Sequence, residues 1–299
     1  LHGRQNDSDA RLFRANIIDQ GSRGLSSSFD FDTVFFDGQN QLGQDAFGVT
    51  VRVDHELNAA VNLTYVYGHE TAEVFSRGDI DGGFGAAFLG AGNFGPGFIP
   101  FPSESAGGVD DLRQVTHEAR IAFDDGGPLR AQAGLFQFDE RVNISSLSFD
   151  TLSPGQPLDG SALRNQDTGS TGIFGSLAFD VSDTLTLAGG LRFTDEEKEF
   201  TAGREISPNG RGPLTPRTIV VGDDQISWDL SATYHASVDV SYYAKIARGF
   251  RGPSVQGRLV FGDTISSADS ETVLSYEAGV KSELYDNRLR ATANGFLYT

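Results

Sequence analysis

Four phenylalanines and four arginines sit where the chain could meet a ligand. In the segment 79–107, Phe84, Phe88, Phe94 and Phe98, with Phe101, recur among many glycines. That composition suits a hinged lid over an apolar or aromatic ligand, or equally a mobile loop resting on its neighbours. In 195–224, Arg204, Arg211 and Arg217 recur at wide spacing. Guanidinium groups pair bidentately with oxyanions, so a cluster there would hold an anion, although scattered loop arginines are usually just solvated. Arg251 stands in the run Gly249-Phe250-Arg251-Gly252-Pro253, where an extended segment gives way to a loop. It could reach into a vestibule toward an anionic ligand, while Gly and Pro there end a strand and turn the chain. Glu277 and Lys281 lie four apart on one polar face, and pairing with neighbouring strands is the expected outcome.

Other chemistry is weakly encoded. The pairs Asp79/Asp81, Asp110/Asp111 and Asp223/Asp224 invite calcium, since hard cations take several carboxylate oxygens. None has the regular spacing of a dedicated loop, so they read as solvated turns, and no metal site is expected. The histidines His2, His55, His69, His117 and His235 are scattered. No serine, histidine and carboxylate arrangement and no phosphate-cradling glycine loop leads into a helix. The expectation is a protein that is not an enzyme and holds no cofactor. Cysteine is absent, which excludes disulfides and thiolate metal sites. A net charge of -18 makes nucleic acid a poor partner, because that binding rests on phosphate neutralisation.

These side chains need a scaffold, and the rhythm of the sequence describes one. Brief connections fall at 55–57, 124–128, 181–183, 236–238 and 285–287; between them lie long Gly- and Asp-rich segments at 68–111, 139–169, 196–224 and 249–271. Short turns on one edge and long loops on the other is how an outer-membrane barrel meets two compartments. The joining runs alternate cleanly. Ile226, Trp228, Leu230, Ala232 and Tyr234 oppose Gln225, Ser227, Asp229, Ser231 and Thr233; Leu185, Leu187, Leu191 and Phe193 oppose Thr184, Thr186, Arg192 and Thr194. Similar alternation marks 47–54, 113–123, 240–247 and 274–281.

A soluble sandwich also alternates, so length and aromatics must decide. The alternating runs are about 9–11 residues, the length that crosses a bilayer when tilted. Aromatics gather near their ends at Tyr65, Tyr67, Phe123, Phe136, Phe138, Phe193, Tyr234 and Tyr242, where an interfacial girdle would sit. The fold expected is an all-β, transmembrane, antiparallel barrel with short periplasmic turns and long extracellular loops. About a dozen strands are expected on this spacing, the first at 10–19 running outward, then a less regular one at 29–36 within an outer segment 20–44. The chain starts at Leu1 without a leader and stops inside a strand-like run. Both ends read as cut, so a longer protein is expected.

Certain phrases then resemble a family, the TonB-dependent outer-membrane receptors. They are 241–254 (SYYAKIARGFRGPS), 276–284 (YEAGVKSEL) and 285–298 (YDNRLRATANGFLY), with 116–123 (THEARIAF), 133–140 (AGLFQFDE) and 173–197 as earlier hairpins. The likeness covers 110–299 well and 1–109 only in rhythm. It implies a barrel of about 22 strands closed by a plug, of which this chain would supply about 12, residues 1–299 forming part of the barrel. A plug domain, a coupling box and the closing C-terminal strands are not visible in it. It further implies TonB-energised uptake of a scarce solute, by default a ferric siderophore, with the inner-membrane TonB complex, outer-membrane lipid and lipopolysaccharide as partners, in the outer membrane of a Gram-negative bacterium. A passive porin-like channel and a secreted β-sandwich binding module are the alternatives.

Overall fold

A computed structural model describes the chain except residues 11–12, 14–16, 19–23, 26–28, 35–37, 82–103, 152 and 287. Thirteen strands are formed among the described residues. They are β1 His2–Ser8, β2 Gln41–Asn58, β3 Val61–Asp79, β4 Glu104–Asp124, β5 Leu129–Phe149, β6 Leu158–Ser182, β7 Leu185–Ile206, β8 Leu214–His235, β9 Val240–Arg251, β10 Ser254–Gln256, β11 Ser266–Ala268, β12 Glu271–Leu284 and β13 Leu289–Tyr298. Eleven join one antiparallel sheet in the order β1-β2-β3-β4-β5-β6-β7-β8-β9-β12-β13, and β10 and β11 pair as a small hairpin. Every neighbour within the large sheet follows in sequence apart from that hairpin. This is the up-and-down order of a barrel wall rather than of a sandwich, and among the described residues no second sheet covers its apolar face.

Lateral pairing shows why the alternation exists. Val53, Tyr65, Ala119, Leu135, Ile173, Phe193 and Ile226 pair in succession from β2 to β8, forming one apolar row. Below it, Gly189, Leu230, Ile246, Tyr276 and Leu297 pair in succession from β7 to β13. Leu135 is 57% and Leu230 58% exposed, so this face is apolar without being covered by protein. The row above Ile226 on the same face reads Tyr67, His117, Gln137, Thr171, Asp195 and Asp224. Tyr65 and His117 are hydrogen bonded across that border, 2.8 Å apart. The apolar face therefore ends at the Ile173–Phe193–Ile226 row, and the band below it is about 9 residues tall, as a membrane-crossing barrel requires.

The strands do not end there. β2 to β8 are 18–25 residues long, about twice the alternating stretch. Beyond Phe193, β7 continues through Asp195, Glu197 and Glu199 on the same face, polar but still paired. Much of the sequence expected as long loop is thus a tall sheet extension. Register shifts at Ala72/Val74, Val109/Asp111, Ser148/Phe149, Ser161/Ala162 and Ala202/Arg204 all lie in this upper part; others sit beside the short turns, and none falls inside the apolar band.

The short turns stand within a few residues of their expected places. The N-terminal region differs. The first strand is His2–Ser8, paired to Ser8↔Leu42 through His2↔Gly48. Of 10–19, the described Ala10, Phe13 and Ile17 are outside any strand and Ile18 makes a lone bridge to Leu25. The described part of 29–36 forms no strand, and 41–44 belong to β2 instead of a loop. A fully polar run such as HGRQNDS carries no period-two signal; only its partner makes it a strand. Phe136 and Phe138 also move: they pair with Glu118 and Thr116 on the polar face, away from the girdle.

Candidate functional site

The polar face of β6, β7 and β8 above the apolar band carries the most developed side-chain arrangement. Three rows define it. Gln166 pairs with Phe200, Arg164 with Ala202, and Ala162 with Arg204; across β7, Ala202 faces Arg217 and Arg204 faces Leu214. Over these rows folds the segment 252–270, which leaves β9 at Arg251, turns through the β10–β11 hairpin and returns into β12. We call it the strap. Its run Leu259-Val260-Phe261 has three apolar residues in succession, which no alternating surface could accommodate. Leu259 and Val260 are buried against Ala162, Phe200 and Ala202, with Leu214, Val255, Phe261 and Ile265 packed around them. This is the hydrophobic core of the described residues, and it lies on the polar side of the wall.

Arg204 pins the strap. Its Nε donates to Gly212 O at 3.0 Å, and Nη1 donates to Leu259 O, Gly262 O and Asp263 Oδ1 at 2.9, 2.7 and 2.6 Å. Arg211 Nη1 donates to the other Asp263 oxygen at 3.1 Å. The Arg204 guanidinium holds the Asp263 carboxyl below the usual carboxylate range; burial opposes it, and Arg211 adds a weaker pull in the same direction as Arg204. At the strap's root, Lys198 Nζ donates to Pro253 O at 2.8 Å and to Glu196 Oε1 at 2.6 Å.

The arginines expected from sequence therefore separate. Arg204 is buried and bound to its own chain; Arg211, in the connection 207–213, shares Asp263 with it. Arg217 is exposed on β8, beside Ala202. Arg251 ends β9 opposite Glu271 and is exposed. Phe84, Phe88, Phe94 and Phe98 lie outside the described residues. Glu277 and Lys281 do contact neighbouring strands: Glu277 accepts from Tyr243 Oη and, at 3.1 Å, from Asn294 Nδ2, and Lys281 lies 5.1 Å from the Tyr243 ring centre. Arg164, Arg258 and Lys198 were not singled out by spacing; the apolar run beside Arg258 inside a polar loop was the available signal.

Two further features line the polar face. Arg192 lies over the Phe136 and Phe174 rings, at 5.1 and 5.9 Å from their centres. Gly172 and Gly134 permit this, since a Cβ at either would come within 2.5 Å of Arg192 or Phe174. An open concavity of about 640 Å³ beside them is lined by Glu118, Arg120, Asp229 and Lys245 among others. Asp79 and Asp81, expected as solvated turn residues, are buried, Asp79 directly opposite Glu104, which pairs with Arg77. Asp110, Asp111, Asp223 and Asp224 are in strands. Among the described residues, no group of three or more His, Cys, Asp and Glu is placed to hold a metal ion.

Residues 2–299 match the family model described as TonB dependent receptor-like, beta-barrel. The chain belongs to the TonB-dependent receptor family. Among solved structures, it is similar to the ferric yersiniabactin uptake receptor FyuA of Yersinia pestis, at 16% identity and a TM-score of 0.70 over 96% of this chain and 39% of that one. The siderophore receptor PiuA of Acinetobacter baumannii gives 16% identity and 0.66 over 98% and 46%. The ferric-catecholate import receptor Fiu of E. coli K12, in its closed form, gives 16% and 0.62 over 98% and 47%. At such identities these likenesses establish the fold. The chain spans less than half the length of these three receptors.

Proposed function

We propose that this chain forms the wall and part of the outer vestibule of a receptor that takes up a scarce solute across the outer membrane of a Gram-negative bacterium, energised through TonB. The observation that carries this reading is the guanidinium-bearing polar face of β6–β8, raised above the apolar band and half-roofed by the strap. A surface there meets a solute before the membrane is reached, and arginine selects anions. A ferric siderophore is the first candidate, supported by the family and by the names of the similar receptors. Capture would occur between the mouth and a plug held inside the complete barrel. Displacement of the plug by the inner-membrane TonB complex would then let the solute pass along the polar face, while lipid and lipopolysaccharide contact the apolar band and rim.

The test is uptake of radioiron-labelled siderophores by iron-starved cells whose uptake depends on the full-length gene, with and without functional TonB. Uptake that stops when TonB is removed is expected. Uptake that continues unchanged would replace this reading with a passive channel.

A further inference from the structure

We propose that the concavity beside Arg192 on the polar face binds a small di- or tricarboxylate, gripped by Arg192 of β7 and Arg248 of β9. The hollow has a volume of about 640 Å³, within the range of small-molecule sites. Its wall carries four cations, Arg120, Arg192, Lys245 and Arg248, against two carboxylates, Glu118 and Asp229. A local excess of positive charge in a chain of net charge -18 runs against the composition of the whole.

Both acids are already held. Glu118 pairs with Arg120 at 3.3 Å and Asp229 with Lys245 at 3.6 Å. Among the described residues, neither Arg192 nor Arg248 has a carboxylate within ion-pair distance. Arg192 Nε donates to Thr194 Oγ1 at 3.0 Å, while its two Nη nitrogens donate to no acceptor among the described residues and are not shut from solvent. The Phe136 and Phe174 rings against which the guanidinium lies restrict its plane, so the fork is held ready. β8 and β9 stop pairing at Trp228↔Arg248. Where they part, Arg248 donates to Ile226 O and, through Nη2 at 3.0 Å, to Gln225 Oε1 on the polar face. Both of those partners are neutral.

The spacing of the two forks selects the ligand. Arg192 leans over Gly172 of β6, where a Cβ would come within 2.5 Å of its Nη2, and Arg248 reaches the backbone of β8. The guanidinium groups are therefore about two strand spacings apart, about 10 Å. A single carboxylate meets only one of them. A short carbon frame bearing two or three carboxylates meets both, each oxyanion matched to a planar fork. The site does not depend on how uptake is driven; only the identity of its occupant with the transported solute rests on the transport reading.

The experiment titrates the full-length receptor, purified in detergent, with tricarballylate and with acetate at low salt by calorimetry. Tricarballylate is expected to bind, and acetate to bind more weakly by about tenfold or more. Arg192→Gln and Arg248→Gln should each weaken tricarballylate binding by roughly tenfold or more, the scale of one charge-assisted contact. Arg288→Gln, in the turn after β12, should leave it unchanged. The proposal is overturned if tricarballylate does not bind the unaltered receptor, if its binding survives either of the first two changes, or if acetate binds as tightly. Heat-modifiable migration checks that each variant is folded. Should Arg248→Gln lose the barrel through the Ile226 carbonyl it leaves bare, Arg192→Gln decides the matter. TonB plays no part in the titration, so a passive channel would give the same result and the two readings fail separately.

Discussion

Arg204 donates to three carbonyl oxygens, one of them on the connection 207–213 and two on the strap, and no smaller side chain could do so from β7. Substitution Arg204→Ala strands those acceptors, and each buried one left unmatched costs about 1–3 kcal/mol. The expected outcome is a folded barrel with a loosened strap, read as new protease cleavage confined to 252–270; cleavage unchanged from the parent would refute the pinning role. Asp263 sets the acid limit of the same contact. Its folded-state pKa is depressed, so its contribution is complete above the usual aspartate value of about 3.9 and is lost as pH falls through the lower folded value. The strap should hold unchanged from roughly pH 5 to 8 and release only in stronger acid. A fluorophore on a single introduced cysteine at Ser266 would report this, because the chain has no other cysteine. Asp263→Asn should abolish the acid step. At this scale the sequence was informative about residue type and poor about role. The arginines of 195–224 were visible, yet which one is pinned and which is free depends on a strap more than fifty positions away.

At the scale of the element, β8 shows what an alternating pattern reports. Leu230 and Val220 are on the same face of one strand, and both are exposed. Leu230 belongs to the row Gly189–Leu230–Ile246 inside the apolar band, whereas Val220 stands beyond the polar row containing Asp224. Leu230→Arg should destabilise the inserted barrel by about 2–4 kcal/mol, as expected for a charge near the bilayer midplane. Val220→Arg should stay within about 0.5 kcal/mol, as for an ordinary surface change. Unfolding in lipid vesicles measures both, and equal effects would move the membrane boundary. The stretch 225–235 was legible because one face meets hydrocarbon and the other does not. From 224 back to 214 neither face is consistently apolar, since Ile219, Val220 and Val221 fall on both; periodicity disappears, and the strand persists through its pairing with β7 alone. β1 was missed for the same reason.

For the whole molecule, the strap is the one place where the described wall becomes two layers thick around buried hydrophobic residues. Phe200→Ala removes the largest side chain of that small core and should cost about 3–5 kcal/mol locally, as deletions of buried aromatics do. Replacing 254–268 with a flexible Gly-Ser linker should leave the barrel assembled. It should also sensitise intact cells to a bulky glycopeptide antibiotic, and unaltered sensitivity would show that the strap does not narrow the mouth. Up-and-down topology and antiparallel pairing were readable from the sequence, since lipid imposes them on every strand that crosses it. The height of the wall was not, because paired polar strands and solvated loops have the same composition. That height, with its register shifts gathered above the apolar band, divides the molecule into two regimes of evolutionary freedom. Within the band a single inserted residue would turn every later side chain to the wrong solvent. Above it, bulges already absorb such insertions, so a lineage can redirect side chains around the mouth one residue at a time and change what it captures while its hold on the membrane stays as it was.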